Sequence, residues 1–206
     1  MIPIIKVCVS ALVSVLSVIL FLRFRGTERR LCMLGMIFST LGDVFMTDIL
    51  HIGDFSTYPG AAFFILAHIV YALCFIKAGN RQGHKLVDKG FWAGLVLTLA
   101  AAALLTVMMI NKTGKMQGMY LPILAYLAFI GLNVVSQFSY GFFRKGRFLF
   151  LPLGMTLFLA SDFLVFLPML NVRSESVAYN MVIWILYIPA QLMIVLFNSD
   201  KKDKPE

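Results

Sequence analysis

The sequence predicts an all-α polytopic membrane protein, a single helical bundle of about seven transmembrane spans covering residues 1–206. Three observations predict it. Of the 206 residues, 60% are apolar and only 14% charged, with a mean hydropathy of +0.88. A soluble domain of this size has too little interior to hide so much apolar surface. The apolar residues also fall into runs of about 20, the length that crosses a bilayer core. Finally, the basic residues alternate between the two sides of those runs.

Seven segments qualify as spans: 2–22, 31–50, 60–77, 91–110, 119–140, 148–170 and 178–197. The first is long enough, and lacks a small-residue cleavage site, so it reads as a retained helix. The connections are short, and no linker separates domains.

Charge sets the orientation. Arg23, Arg25, Arg29 and Arg30 fill the first loop; Lys77, Arg81, Lys85 and Lys89 the third; Arg144, Lys145 and Arg147 the fifth; Lys201, Lys202 and Lys204 the tail. The opposite side holds Lys6, Lys112, Lys115 and Arg173, with Asp48 and Asp54 in its first loop. The positive-inside rule then places the N-terminus outside and the C-terminus in the cytoplasm. Clusters between apolar runs also account for the net charge of +8, which argues against nucleic acid as a partner. Cys8, Cys32 and Cys74 lie within apolar segments, an odd set without metal-ligand spacing, and read as packing residues.

Ionisable side chains at membrane depth are costly unless paired or wet, so each is a candidate functional residue. Three lie deep: Asp43 in the second span, His68 in the third and Asp162 in the sixth. Counted from the outer ends of the predicted spans, all three sit roughly 10–12 Å down, which implies one shared cavity. Ser39 lies one turn before Asp43, and Tyr71 one turn after His68. Trp184, Tyr187 and Gln191 form one stripe on the seventh span, and Asn133 sits somewhat deeper on the fifth. These six are the expected cavity lining.

Other chemistries lack their residues. Three His in total, with no i, i+4 pair, cannot supply a zinc site. The seventh span has no lysine for a retinal Schiff base. Gly-rich phosphate loops and nucleophile elbows are absent from the sequence. A small transporter or lipid-binding protein is the competing class, but Pro122, Pro152, Pro168 and Pro189 form no symmetric set of broken spans.

The segments LGDVFMTD (41–48), GAAFFILAHIVY (60–71), ASDFLVF (160–166) and YIPAQLMI (187–194) together resemble the YhhN family of membrane proteins, whose animal members include the lysoplasmalogenases. Members usually carry about eight spans, with two ahead of the LGD helix, where this chain has room for one. The resemblance implies hydrolysis of the vinyl ether bond of a lysoplasmalogen, giving a fatty aldehyde and a glycerophospho-ethanolamine or -choline, without a cofactor. The substrate would be a lysophospholipid reached from membrane lipid. The residues suit that reaction. Vinyl ethers hydrolyse by rate-limiting protonation at carbon, forming an oxocarbenium ion. They therefore need a protonated acid and a negative group or base beside it. Two carboxyls in one dry pocket can provide both, as desolvation and repulsion keep one protonated and the other ionised. On this reading Asp43 and Asp162 share those roles in either order, and His68 orients one of them or the water. The alternative within enzymes is a hydrolase of another lysolipid or ether lipid. Short loops and cytoplasmic basic clusters fit a bacterial inner membrane.

Overall fold

The computed structural model describes residues 2–47, 49–51, 56–110, 120–169 and 176–197. Among them are seven α-helices and no strand: α1 (Ile2–Phe24), α2 (Thr27–Met46), α3 (Thr57–Arg81), α4 (Lys89–Met109), α5 (Tyr120–Arg144), α6 (Phe150–Met169) and α7 (Val177–Leu196). A 3-10 turn, Gly146–Leu149, precedes α6. Six of the helices are long and apolar enough to cross a membrane. The exception is α2, which carries Glu28, Arg29, Arg30 and Asp43. It is nevertheless sheltered, because it packs between α1 and α3 and touches α7.

The helices pack as a ring in the order α1, α2, α3, α5, α6, α7 and back to α1, with α4 lying outside against α5. The outward faces are apolar, with Leu12, Val96 and Ile185 about two-thirds exposed. That surface is unfavourable in water and ordinary against lipid. The main core, around Tyr71, Phe75, Ile130, Phe158 and Ile194, joins α3, α5, α6 and α7.

Small residues let the backbones approach, the usual device where lipid removes the hydrophobic drive between helices. On α2, Gly35 and Gly42 face Tyr71 and Phe64 of α3; a Cβ at Gly35 would lie 2.5 Å from the Tyr71 ring. On α4, Gly90 and Gly94 seat the helix on α5, and a Cβ at Gly90 would lie 2.5 Å from the Phe138 carbonyl oxygen. The first helix contributes a polar seam instead. Ser14 Oγ lies 2.6 Å from Thr40 Oγ1 of α2 and donates to the Met36 carbonyl at 3.1 Å.

Proline is accommodated locally. Pro122 and Pro152 fall in first turns, where no N–H is missed. Pro168 lies inside α6 and leaves the Leu164 carbonyl without its helical donor. The Tyr179 hydroxyl of α7 donates to that carbonyl.

Helix ends differ from the expected spans. The second helix starts at 27, not 31, because Gly26 adopts φ +122, a backbone that ends the preceding chain direction and favours glycine. It stops at 46, not 50, where the Thr47 hydroxyl donates 2.7 Å to the Asp43 carbonyl. The third and fifth run on to Arg81 and Arg144, since charged residues are tolerated at helix ends near water. Glu28 of α2 meets Arg81 there at 3.6 Å, and Arg144 donates to Gln82 at 2.7 Å. The loop charges Asp48, Asp54, Lys112, Lys115 and Arg173 and the tail lysines 201, 202 and 204 lie outside the described residues.

Because the Gly90 clash is with backbone, no side-chain rotation relieves it. Gly90→Ala should cost about 1–3 kcal/mol, read as a lower thermal unfolding midpoint in detergent; an unchanged midpoint would show that α4 does not seat there.

Candidate active site

Asp43 ends the buried face of α2, which runs through Cys32, Met36 and Ser39. Two helices supply donors to it. Ser10 Oγ of α1 donates to Asp43 Oδ2, and Tyr187 Oη of α7 donates to the same oxygen at 3.0 Å. Gln191, one turn further along α7, donates to Tyr187 Oη. Ser10 also lies 3.1 Å from Thr40 Oγ1, so the seam between α1 and α2 orients it.

Asp162 of α6 has a separate set. Tyr126 Oη of α5 donates to Asp162 Oδ2 at 2.6 Å. His68 Nε2 of α3 lies 3.3 Å from Tyr126 Oη and 3.8 Å from Asp162 Oδ2. Behind it, Asn133 Nδ2 lies 3.1 Å from His68 Nδ1, and Gln137 Nε2 donates to Asn133 Oδ1 at 3.0 Å. The direction of this chain follows from its members. Asn133 Nδ2 also approaches Met155 Sδ at 3.5 Å, and a thioether only accepts. The amide nitrogen therefore faces His68 as a donor, Nδ1 carries the lone pair, and Nε2 carries the ring proton. Four donors, from Gln137, Asn133, His68 and Tyr126, thus point in sequence toward Asp162.

The two carboxyls line one cavity of about 460 Å³, within the range of small-molecule sites (roughly 300–1,000 Å³). It lies where the N-terminal halves of α1, α3, α5 and α7 meet the C-terminal halves of α2 and α6. Phe64, Ile123, Val165, Phe166 and Ile183 give it apolar walls. Between the two donor sets stands Phe158, edge-on to Tyr187 at 5.1 Å and to His68 at 5.1 Å.

The expected residues divide into two groups. Asp43, Asp162, Trp184 and Tyr187 border the cavity. His68, Ser39, Tyr71, Asn133 and Gln191 do not; all five are 0% exposed and lie behind the lining. Asp43 sits three residues from the end of α2, Asp162 seven from the end of α6, and His68 eleven into α3. His68 lies behind Tyr126, with Nε2 3.8 Å from Asp162 Oδ2. Ser39 and Tyr71 pair with each other at 3.5 Å, and Tyr71 donates to Met36 Sδ at 3.3 Å; both serve the contact of α2 with α3.

Sequence reasoning missed Ser10, Tyr126, Gln137 and Lys6. Signals existed for most of them. Ser10, Ser14 and Ser17 follow helical spacing in an otherwise apolar run, and all three are buried. Tyr126, Asn133 and Gln137 repeat at seven and four residues, one face of α5.

Asn133→Leu would keep the branched outline but leave Gln137 Nε2 and His68 Nδ1 without their Asn133 partner in a dry interior. It should cost about 1–3 kcal/mol, measured as a lower thermal midpoint. A midpoint equal to wild type would mean the chain of donors is not formed.

Comparison with curated proteins, and with solved structures, returned no match. A sequence model of the YhhN family matches residues 3–198 of the 206-residue chain, nearly its whole length and every helix that contributes to the cavity. The chain belongs to the YhhN family.

Proposed function

We propose that this protein is a membrane-embedded hydrolase that cleaves the vinyl ether bond of lysoplasmalogens to a fatty aldehyde and a glycerophospho-ethanolamine or -choline. One observation carries the reading: two carboxyls from different helices, each with its own donors, border a single cavity with apolar walls. The resemblance to a family with lysoplasmalogenases among its animal members supports the choice of substrate.

Asp43 is the acid and Asp162 the base. Ser10 and Tyr187 both donate to Oδ2 of Asp43, and in this reading Oδ1 carries the proton that is given. Asp162 terminates the aligned donors of α3 and α5, and in this reading it takes the proton. Asp43 protonates the enol-ether carbon remote from oxygen, and the positive charge settles on the adjacent carbon and its ether oxygen. Asp162 faces that cation and takes a proton as water adds to it. The resulting hemiacetal collapses: Asp162 returns its proton to the glycerol oxygen, the carbon–oxygen bond breaks, and the hydroxyl proton goes back to Asp43. Net consumption is one water, and both carboxyls are reset. Tyr126 and His68 hold Asp162; Ser10, Tyr187 and Gln191 hold Asp43. The arrangement is analogous to the paired carboxyls that handle oxocarbenium chemistry in glycosidases.

The charge distribution supports a bacterial inner membrane with the cavity end outward and the C-terminus in the cytoplasm. A fluorescent reporter active only in the cytoplasm, fused at the C-terminus, should be active. A silent fusion beside an active N-terminal one would reverse the orientation.

Asp43→Asn and Asp162→Asn should each lower aldehyde release from a lysoplasmalogen by about 10²–10⁴-fold, with thermal midpoints near wild type because the shape is kept. Full turnover in either variant removes that residue from the reaction.

A further inference from the structure

The cavity has an electrostatic asymmetry that the reaction does not use. Its two acids lie inward, whereas Lys6 of α1 is the one basic side chain among the described residues lining it. The Lys6 ammonium lies 5.3 Å over the Trp184 ring centroid, a cation–π contact that fixes a flexible side chain. Lys6 precedes Ser10 by four residues on α1, about 6 Å of rise. Trp184 precedes Tyr187 by three on α7, about 4.5 Å. Ser10 and Tyr187 are the two donors to Asp43. On both helices, therefore, the Lys6–Trp184 pair stands one turn nearer the helix N-termini than the acid. Thr57, Tyr58 and Asn180, each in the first turn of its helix, line the same cavity.

We infer that Lys6, held on Trp184, is the binding site for the substrate's phosphodiester. The inference rests on the hydrolase reading for the identity of the lipid, but it makes a separate claim about what the site binds. In a lysoplasmalogen, five to seven bonds separate phosphorus from the vinyl ether atoms, about 6–9 Å when extended. That span matches the one-turn offset between Lys6 and the donors of Asp43. A phosphate anchored at Lys6 brings the enol ether level with the carboxyls, and the alkenyl chain is left to the apolar walls. The same anchor selects lipids bearing an anionic phosphate on the carbon beyond the glycerol C2, and it discriminates against the phosphate-free alkenylglycerol. An ammonium is suited to this as a point charge that tolerates either head group.

The test uses ligands that cannot be cleaved, so it reads binding apart from catalysis. Full-length protein in detergent is titrated with 1-O-hexadecyl-glycerophosphoethanolamine and with 1-O-hexadecylglycerol, its phosphate-free counterpart. Wild type should prefer the phosphate-bearing ether by about tenfold or more, as expected for one charge-assisted contact. Lys6→Gln should bring the ratio toward one, and Lys6→Arg should largely keep it. Wild type without a preference, or Lys6→Gln with the preference intact, overturns the assignment. Displacement of the phosphate-bearing ether by millimolar inorganic phosphate alone would overturn the lipid-borne phosphodiester in favour of the free ion. Absence of aldehyde release from a true lysoplasmalogen, with the binding preference present, would instead sink the hydrolase reading and leave the phosphate site standing.

Discussion

A carboxyl group drawn into an apolar bundle costs several kcal/mol unless hydrogen-bond donors meet it there, and this constraint organises the molecule. Asp43 draws Ser10 from α1 and Tyr187 from α7. Asp162 draws Tyr126 from α5, and through it His68 from α3. The six helices that carry these groups are the six that close the ring. The helix that carries none, α4, is the one left outside it. Satisfying two acids therefore accounts for much of the arrangement of the helices as well as for the chemistry.

The donors differ in kind, and the difference matters for function. Around Asp43 the hydroxyls of Ser10 and Tyr187 meet on one oxygen. Behind Asp162 they form a line of amide, imidazole and phenol whose dipoles run one way. In the proposed reaction Asp43 gives a proton and Asp162 takes one, without a metal or nucleophile in any step. Phe158 stands edge-on to both Tyr187 and His68, so the two sets are packed on a common rigid ring. Preorganisation of this sort is what electrostatic stabilisation of a cation demands.

Polar groups elsewhere follow the same economy. Tyr179 answers the carbonyl that Pro168 leaves open. The ends of the bundle opposite the cavity are held by Arg81 with Glu28 and by Arg144 with Gln82. Glycine at 35 and 42 brings α2 close to α3, and glycine at 90 and 94 brings α4 close to α5. Close approach, rather than burial of extra apolar area, is the available source of cohesion where the surroundings are themselves apolar.

The amino-acid sequence by itself determined the membrane class, the helix count and the family resemblance, and it singled out Asp43 and Asp162 as acids at membrane depth. Those follow from local quantities: length of apolar runs, and the cost of an acid within one. Tertiary structure alone decided which residues face the cavity. Ser39, Tyr71, Asn133 and Gln191 share polar character with Trp184 and Tyr187, yet they pack inward, because facing direction depends on which neighbour each helix face meets. Ser10, Tyr126 and Lys6 became meaningful only once α1 and α5 were placed beside α2 and α6, since a hydroxyl 33 or 36 residues away from its carboxylate leaves no local periodic signal linking the two. Counting along a chain locates a residue on its own helix; the offset between helices is set by packing.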